Sequence, residues 1–431
     1  MHTKNRIPEN PLPLPASLRA SLELVAAQAA QHGVRVWLVG GVVRDLLAGL
    51  PLSHDLDFAV EGDVAALAAA MASASGGRIV AQHAPFGTAS IELPAQDGAP
   101  PLLLDLARTR REHYPQPAVL PEVRPAPIEQ DLLRRDFSLN AIACELSIHE
   151  GRLSFGALLD PFAGQADLAA RRLRLLHAQS LRDDPTRILR GLRLASRMAL
   201  ALTPESAAQL EHALAAGYLA LLSPERILNE LCLALHEARP DAVLHRADAW
   251  GITPQILPGL AYSADLAARC ERYATSAGPH DPLVWMGLLC YACAPATRTA
   301  LLRRYPLPNP AATLLRQLEP LRTVAPRLAS MPNSALDRTL HTFSMTACIV
   351  LHFAEPDAAA PVMHYLHQLR PQRAPLDGHD LRRLGVAPGP RFGQLLAQLR
   401  DLTLDGQMTT RAQAEAWVLQ ELASSEAKEL T

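Results

Sequence analysis

Lysine is nearly missing from this 431-residue chain. It occurs at Lys4 and Lys428 alone, so 39 of the 41 basic residues are arginine. Almost every cation is therefore a planar fork that matches carboxylates and phosphates two oxygens at a time. Aromatic residues make up only 4% of the chain, and Leu and Ala fill the space instead. No apolar stretch reaches the ~18 residues of a membrane-spanning helix. Residues 1–17 (MHTKNRIPENPLPLPAS) are too polar and too rich in proline for a secretion signal. A net charge of −2 gives no global attraction to nucleic acid, so any such attraction has to come from local arginine clusters. The six cysteines are scattered, and only Cys290 and Cys293 form a CxxC, inside an apolar helical stretch. That pattern points to buried free thiols in a cytoplasmic protein rather than a metal or redox centre. The length leaves room for two to four domains.

Against this background residues 34–60, VRVWLVGGVVRDLLAGLPLSHDLDFAV, stand out. The run Val34–Val39 reads as a buried strand ending in Gly40-Gly41, where bare backbone N–H groups can approach a phosphate. A short helix carrying Arg44 and Asp45 follows, and the next strand carries Asp55 and Asp57. Residues two apart on a strand share a face, so both carboxylates can grip one ion or ion pair. Hard oxygen ligands beside a phosphate cradle suit Mg²⁺ and a nucleoside triphosphate. A diglycine turn beside an incidental surface DLD is the plainer reading of the same residues.

Further along, Ser17 suggests a cap for a first amphipathic helix, and Asp63 caps an Ala-rich helix over 64–73. Strand signals return at 78–82 and 88–93, and 94–101 reads as a loop. The third apolar strand, 101–107, holds Asp105 in its middle, a charge that needs a partner or a shared metal ion there. Residues 108–130 are too rich in Pro and Arg for regular structure, and a long basic loop of this kind is expected to be functional. DLLRRDFSLNAIA (131–143) concentrates Arg134, Arg135, Asp136 and Asn140, with Asp136 as a helix cap in the simplest reading. Residues 144–155 form a hairpin turning at Glu150-Gly151. From about residue 155 the periodicity becomes helical, which marks a first domain boundary. Asp183-Asp184-Pro185 opens a helix on which Arg187, Arg190, Arg193 and Arg197 share a face opposite Ile188, Leu192 and Ala195. That face is either solvated surface or a stripe turned to a nucleotide or RNA. Ser223-Pro224-Glu225-Arg226 opens another helix, read here as structural. Near the end, 376–396 reads as a loop between helices with Arg382, Arg383 and Arg391 open to a phosphate backbone.

Six segments in this order resemble the class II tRNA nucleotidyltransferases (CCA-adding enzymes), which share their head with bacterial poly(A) polymerases. They are 38–60, 105–110, 131–143, 158–174, 182–198 and 223–235. The resemblance implies an α+β fold: a small mixed-sheet nucleotidyltransferase head with helices, then an elongated all-α neck, body and tail. It divides the chain into a leader (1–17), head (18–156), neck (157–235), body (236–330) and tail (331–431). It implies that Gly40, Gly41 and Arg44 hold the triphosphate, that Asp55 and Asp57 bind catalytic Mg²⁺, and that Asp105 is the third acid. Arg135, Asp136 and Asn140 would lie near the ribose. Asp184 and Arg187 would read the base, with Arg190 and Arg193 continuing their face. The implied partners are CTP, ATP and the 3′ end and elbow of tRNA, with neither DNA nor a membrane involved. Asp183 stands where the family commonly has Glu. Cys290-Tyr291 stands where many relatives have a His-Asp metal motif, so phosphohydrolase activity of that kind is not expected, and His280-Asp281 and His379-Asp380 read as structural. Full CCA addition is the expected activity. CC-only or A-only addition, poly(A) synthesis and an inactive RNA-binding module are the alternatives.

Overall fold

The computed structural model describes Leu12 and residues 16–52, 55–94 and 101–429. Nearly all of the Pro-rich leader lies outside them, as does most of the loop expected at 94–101. The chain divides into two compact units, Met1–Glu230 and Leu231–Thr431.

The first unit is organised around a seven-stranded mixed sheet. In chain order its strands are β1 (Arg35–Val39), β2 (Asp55–Glu61), β3 (Arg78–His83), β4 (Thr88–Leu93) and β5 (Leu102–Arg108). A separate two-stranded hairpin, β6 (Arg110–His113) and β7 (Glu122–Pro125), comes next, and β8 (Ala143–His149) and β9 (Arg152–Leu159) complete the sheet. The spatial order is β3-β4-β5-β2-β1-β8-β9. Only β2 and β5 run parallel; the other neighbours are antiparallel. The unbroken apolar run of β1 follows from its central place. Val36 and Leu38 join the larger core, while Trp37 and Val39 join a smaller one with Ala59, Ile128, Leu132, Ala141 and Ala143. Both faces are covered, so no polar alternation is needed.

Helix α1 (Ala16–Gln31) starts one residue before Ser17, so Ser17 lies inside it. Helix α2 (Gly41–Ala48) springs from the diglycine, and α3 (Val64–Ser75) is capped by Asp63, which accepts from the N–H groups of Ala65 and Ala66. Residues 108–130 are not wholly irregular. They form the β6–β7 hairpin and lead into α4 (Ile128–Leu133). The cross-strand register Arg111↔Arg124 and Glu112↔Val123 holds despite the prolines, because these flank the ladder or sit at its end. The expected hairpin is present, with its turn at Glu150 and Gly151, both at positive φ. Beyond it come α5 (Gly164–Ala169), α6 (Ser180–Asp183), α7 (Thr186–Arg197), α8 (Pro204–Ala215) and α9 (Pro224–Leu235).

The second unit is helical throughout the described residues. Its last part has its own core of Leu376, Leu381, Val386, Leu395, Leu399, Met408, Ala414 and Val418. His280-Asp281 and His379-Asp380 are helix starts: Asp281 caps the helix Pro282–Cys290, and Asp380 joins Asp377 in a capping box. Cys290 and Cys293 are buried and free. No described helix is long and apolar enough to cross a membrane.

Candidate active site

Three neighbouring strands build the acidic wall. On β2, Leu56 and Phe58 enter the main core, which turns Asp55 and Asp57 to the other, solvent-accessible face. The parallel pairing of β5 with β2 sets Asp105 opposite Asp57, on that same face. The antiparallel pairing of β4 with β5 then sets Ser90 opposite Asp105, and the Ser90 hydroxyl donates to Asp105 Oδ1. At the end of β1, Gly40 adopts φ 74°, ψ −137°, a conformation that glycine alone reaches readily. A Cβ there would lie 3.2 Å from Arg135 Nη1 and 3.5 Å from Asp57 Oδ2, so the turn backbone runs directly beside the acid. Desolvation in this crowded cleft pushes the Asp57 carboxyl above its ordinary pKa. The charges of Asp105 and Asp55 add to the rise, while Arg135 and Arg190 oppose it.

The second wall comes from the α6–α7 junction. Asp184 is the extended residue between these helices, so it and Arg187 do not share one helix as their spacing suggested. Its Oδ1 accepts from the Thr186 N–H at 3.1 Å, the Thr186 hydroxyl at 2.6 Å and Arg226 Nη2 at 2.7 Å. Oδ2 is left as the oxygen available to a ligand. Arg187 is 5% exposed; its Nη1 donates to Ser180 Oγ at 2.7 Å and its Nη2 to the Arg134 carbonyl at 2.8 Å. One turn on, Arg190 forks onto Asp136 Oδ2 at 2.9 and 2.7 Å. Burial alone would raise the Asp136 pKa, but Arg190 and the Asn140 amide outweigh it and hold the carboxyl at about 2. Asp136 also accepts from the Phe137 N–H, ahead of the short turn Ser138–Asn140 rather than at the start of an α-helix. Gly191 lets α7 approach this turn, since a Cβ there would fall 2.7 Å from Phe137 Cζ.

Between the walls lies a cleft of about 590 Å³. It brings together Gly40, Gly41, Asp57, Asp105, Arg135, Asp136, Asn140, Asp184, Arg187 and Arg190. Asp55, Arg44 and Arg193 are not in its lining. Arg44 is 6% exposed and sits beneath the glycine turn, its guanidinium engaged with Asp45 at 2.8 and 3.0 Å and with Asn140 Oδ1 at 2.6 Å. Arg193 reaches Glu230 at 2.7 Å. Four of the cleft arginines are neutralised: Arg110 and Arg134 by Glu112, Arg134 and Arg135 by Asp131, Arg190 by Asp136. Among the described residues the hydrogen-bonding partners of Arg187 are all uncharged, which leaves its charge for a ligand.

Ser90, Phe86, Glu112, Tyr114 and Leu120 line the same cleft, and the sequence reading singled out none of them. Tyr114 donates to Glu112 Oε2 at 2.8 Å, and burial beside that carboxylate raises its pKa. Arg226, read as part of a structural helix start, binds both Asp184 and the carbonyl of Ala118 at the hairpin tip, the latter at 3.0 Å. Its only sequence signal was its place two residues after the proline that leads its helix, which does not reveal a partner 42 residues away.

The donors suit a hard divalent cation. No group of three or more His, Cys, Asp or Glu side chains among the described residues forms a ready cage. Mg²⁺, however, is ordinarily held by one or two carboxylates plus the substrate's phosphates. The crowded negative charge felt by Asp57 is what such an ion relieves.

Comparison with known proteins identifies relatives of this chain. The poly A polymerase head domain family matches residues 36–174. An A-adding tRNA nucleotidyltransferase of Halalkalibacterium halodurans is 33% identical over 388 residues, covering 87% of this chain and 86% of the relative. A CC-adding tRNA nucleotidyltransferase of Deinococcus radiodurans is 37% identical over 372 residues, covering 86% and 84%. Among solved structures, the Thermotoga maritima CCA-adding enzyme complexed with tRNA-CCA superposes with a TM-score of 0.72. It is 26% identical, with 95% and 96% of the two chains covered.

Proposed function

This chain belongs to the class II tRNA nucleotidyltransferase family, and from that premise we propose that it completes the CCA end of tRNA from CTP and ATP without a nucleic-acid template. The observation that carries the proposal is the single cleft holding Asp57 and Asp105 on one wall and Asp184 and Arg187 on the other.

Cytosine and adenine both present an amino donor next to a ring-nitrogen acceptor on the pairing edge, whereas uracil and guanine present the reverse. A carboxylate oxygen beside a guanidinium matches the first pattern. Asp184 Oδ2 accepts from the amino group and Arg187 donates to the ring nitrogen. The neutral anchors Ser180 and the Arg134 carbonyl hold the fork in place without spending its charge. Arg190, Asp136 and Asn140 form the floor between base and phosphates, next to the ribose. The Gly40-Gly41 backbone and Arg135, whose buried Nε has no hydrogen-bonding partner among the described residues, face the triphosphate. Arg44 acts from beneath, bracing the turn. Asp55 and Asp57 would hold Mg²⁺, which supplies charge stabilisation at the attacking and leaving oxygens. Asp105 takes the proton of the tRNA 3′-hydroxyl as that oxygen bonds the α-phosphorus and the α–β bridge leaves with pyrophosphate.

Residues 18–156 are assigned as head, 157–235 as neck, 236–330 as body and 331–431 as tail, the tail gripping the tRNA elbow. The free thiols suit a cytoplasmic enzyme. A partial activity, CC-only or A-only, is a second reading, favoured by two relatives that match over most of their length, one A-adding and one CC-adding.

The test offers tRNA transcripts ending before CCA, after C and after CC, with CTP and ATP separately, and sizes the products. Full extension supports the proposal. A stop at CC, or action only on CC-ended tRNA, selects one of the partial readings. Asp55→Ala abolishes addition while tRNA binding persists; retained turnover overturns the assignment.

A further inference from the structure

Among the described residues the Asp105 side chain has one hydrogen-bonding partner, the hydroxyl of Ser90. The two are cross-strand partners on β4 and β5, and Asp105 is in turn the cross-strand neighbour of Asp57 on β2. Ser90, Asp105 and Asp57 therefore form a row across three adjacent strands, and Ser90, Asp105 and Asp57 all line the cleft. Along β4 the buried residues Ala89, Ile91 and Leu93 alternate with Thr88, Ser90 and Glu92, so the strand period itself sends the hydroxyl to the cleft side.

In this row Asp105 has a like charge on one side and a donor on the other. The last torsion of an aspartate is broad and roughly two-fold, so packing alone defines poorly which oxygen faces where. A donor to Oδ1 on the side away from Asp57 removes that ambiguity. It draws Oδ1 toward β4 and leaves Oδ2 as the oxygen presented to the cleft. Serine is small enough to do this without filling the space a primer terminus needs.

We propose that Ser90 is a positioning residue for nucleotidyl transfer, fixing Asp105 so that Oδ2 meets the 3′-hydroxyl of the primer. This rests on the reading of Asp105 as the third acid. The O–H bond of the primer breaks as its oxygen bonds the α-phosphorus, the proton passes to Oδ2, and the bridging electron pair departs with pyrophosphate. Ser90 itself neither gains nor loses a proton. Because it acts on the primer side, its effect is the same for CTP and ATP.

The experiment measures single-turnover rates and KM for each nucleotide with the full-length protein, its Ser90→Ala and Ser90→Thr variants, and both serine states in an Asp105→Asn background. Orienting hydrogen bonds of this kind are typically worth 10–100-fold, so Ser90→Ala is expected to lower the rate about 10-fold for both nucleotides with KM essentially unchanged. Ser90→Thr, which keeps the hydroxyl, restores most of the loss. Thermal melting establishes that both variants are folded. With Asp105→Asn, removing the Ser90 hydroxyl costs nothing further. A wild-type rate in Ser90→Ala, an equal loss in Ser90→Thr, or the same 10-fold loss on top of Asp105→Asn overturns the proposal. Full activity in Asp105→Asn alone overturns the reading beneath it, and a wild-type protein that adds no nucleotide to tRNA overturns the nucleotidyl transfer itself.

Discussion

Arg187 and Asp136 carry opposite charges in one cleft, and each is set by what its neighbours leave over. Arg187 has two strong hydrogen bonds and no carboxylate partner among the described residues, so its fork is held rigidly yet remains electrostatically unspent. Lysine keeps the charge but, as a compact ammonium on a flexible stem, does not reproduce the planar fork that spans both anchors and the ligand. Arg187→Lys is expected to blur the choice of CTP and ATP over UTP and GTP by ~10-fold or more while inhibition by inorganic tripolyphosphate stays unchanged, as competition kinetics will show. Asp136 is the reverse case, a buried carboxylate fully engaged by Arg190, Asn140 and the Phe137 N–H. Its folded pKa of about 2 lies below the ~3.9 of an unfolded aspartate. The lowered value means that its stabilisation is fully present above about pH 4 and is lost as pH falls through about 2, an effect of ~2 kcal/mol. Urea denaturation of Asp136→Asn against the wild type should therefore show a gap at pH 7 that narrows between pH 4 and pH 2.

At the scale of elements, the β6–β7 hairpin and α9 meet through one side chain. Arg226 donates to the Ala118 carbonyl and to Asp184, so the hairpin tip and a candidate base reader share an anchor. Ala118 adopts a positive φ of 62°, and its N–H donates to the Arg182 carbonyl at 3.3 Å. Arg226→Ala removes a charge-assisted bond worth ~1–2 kcal/mol from the local closing of this tip. Trypsin should then cut at Arg111 ~5-fold faster or more, with CTP/ATP selectivity degraded in parallel. Unchanged cleavage and selectivity argue against the anchor. The hairpin was hidden in the sequence because alternation is its only mark and RREH against EVRP has no apolar face to display. Its partners are the cleft and Glu112's arginines rather than a core. By contrast β1, β2, β4 and β5 were legible, since each carries an apolar run or strict alternation fixed by burial against α1 and α3.

For the whole molecule, the division at Glu230 and Leu231 separates the sheet-bearing unit from the helical one. Inside the helical unit, the C-terminal core is tied to the helix Asn333–His341 by Arg400, whose guanidinium binds both oxygens of Asp337 at 2.7 Å. Asp337 is 3% exposed, so losing its partner strands a buried charge. Because Arg400 itself is partly exposed, Arg400→Ala is expected to cost about 2 kcal/mol, or roughly 4–8 °C in melting temperature for a unit of this size. Nucleotide addition to a short primer that does not need the tail should be unaffected.

What the sequence determined by itself was everything carried by short-range pattern. Period-two burial put Asp55 and Asp57 on one face, an apolar strand with one acid marked Asp105, and Gly40 marked a turn that only glycine enters easily. Six ordered segments named the family and with it the roles expected of Arg135, Asp136, Asn140, Asp184 and Arg187. Tertiary structure alone decided which arginines keep their charge. Arg190 and Arg193 are spent on Asp136 and Glu230, Arg44 turns under the glycine turn to Asp45 and Asn140, and Arg187 stays open to the cleft. It also decided that Ser90 meets Asp105 and that Arg226 meets Asp184. A charge is neutralised by whatever lies within a few ångströms of it, and those neighbours come from residues tens of positions away. No local period can record that pairing.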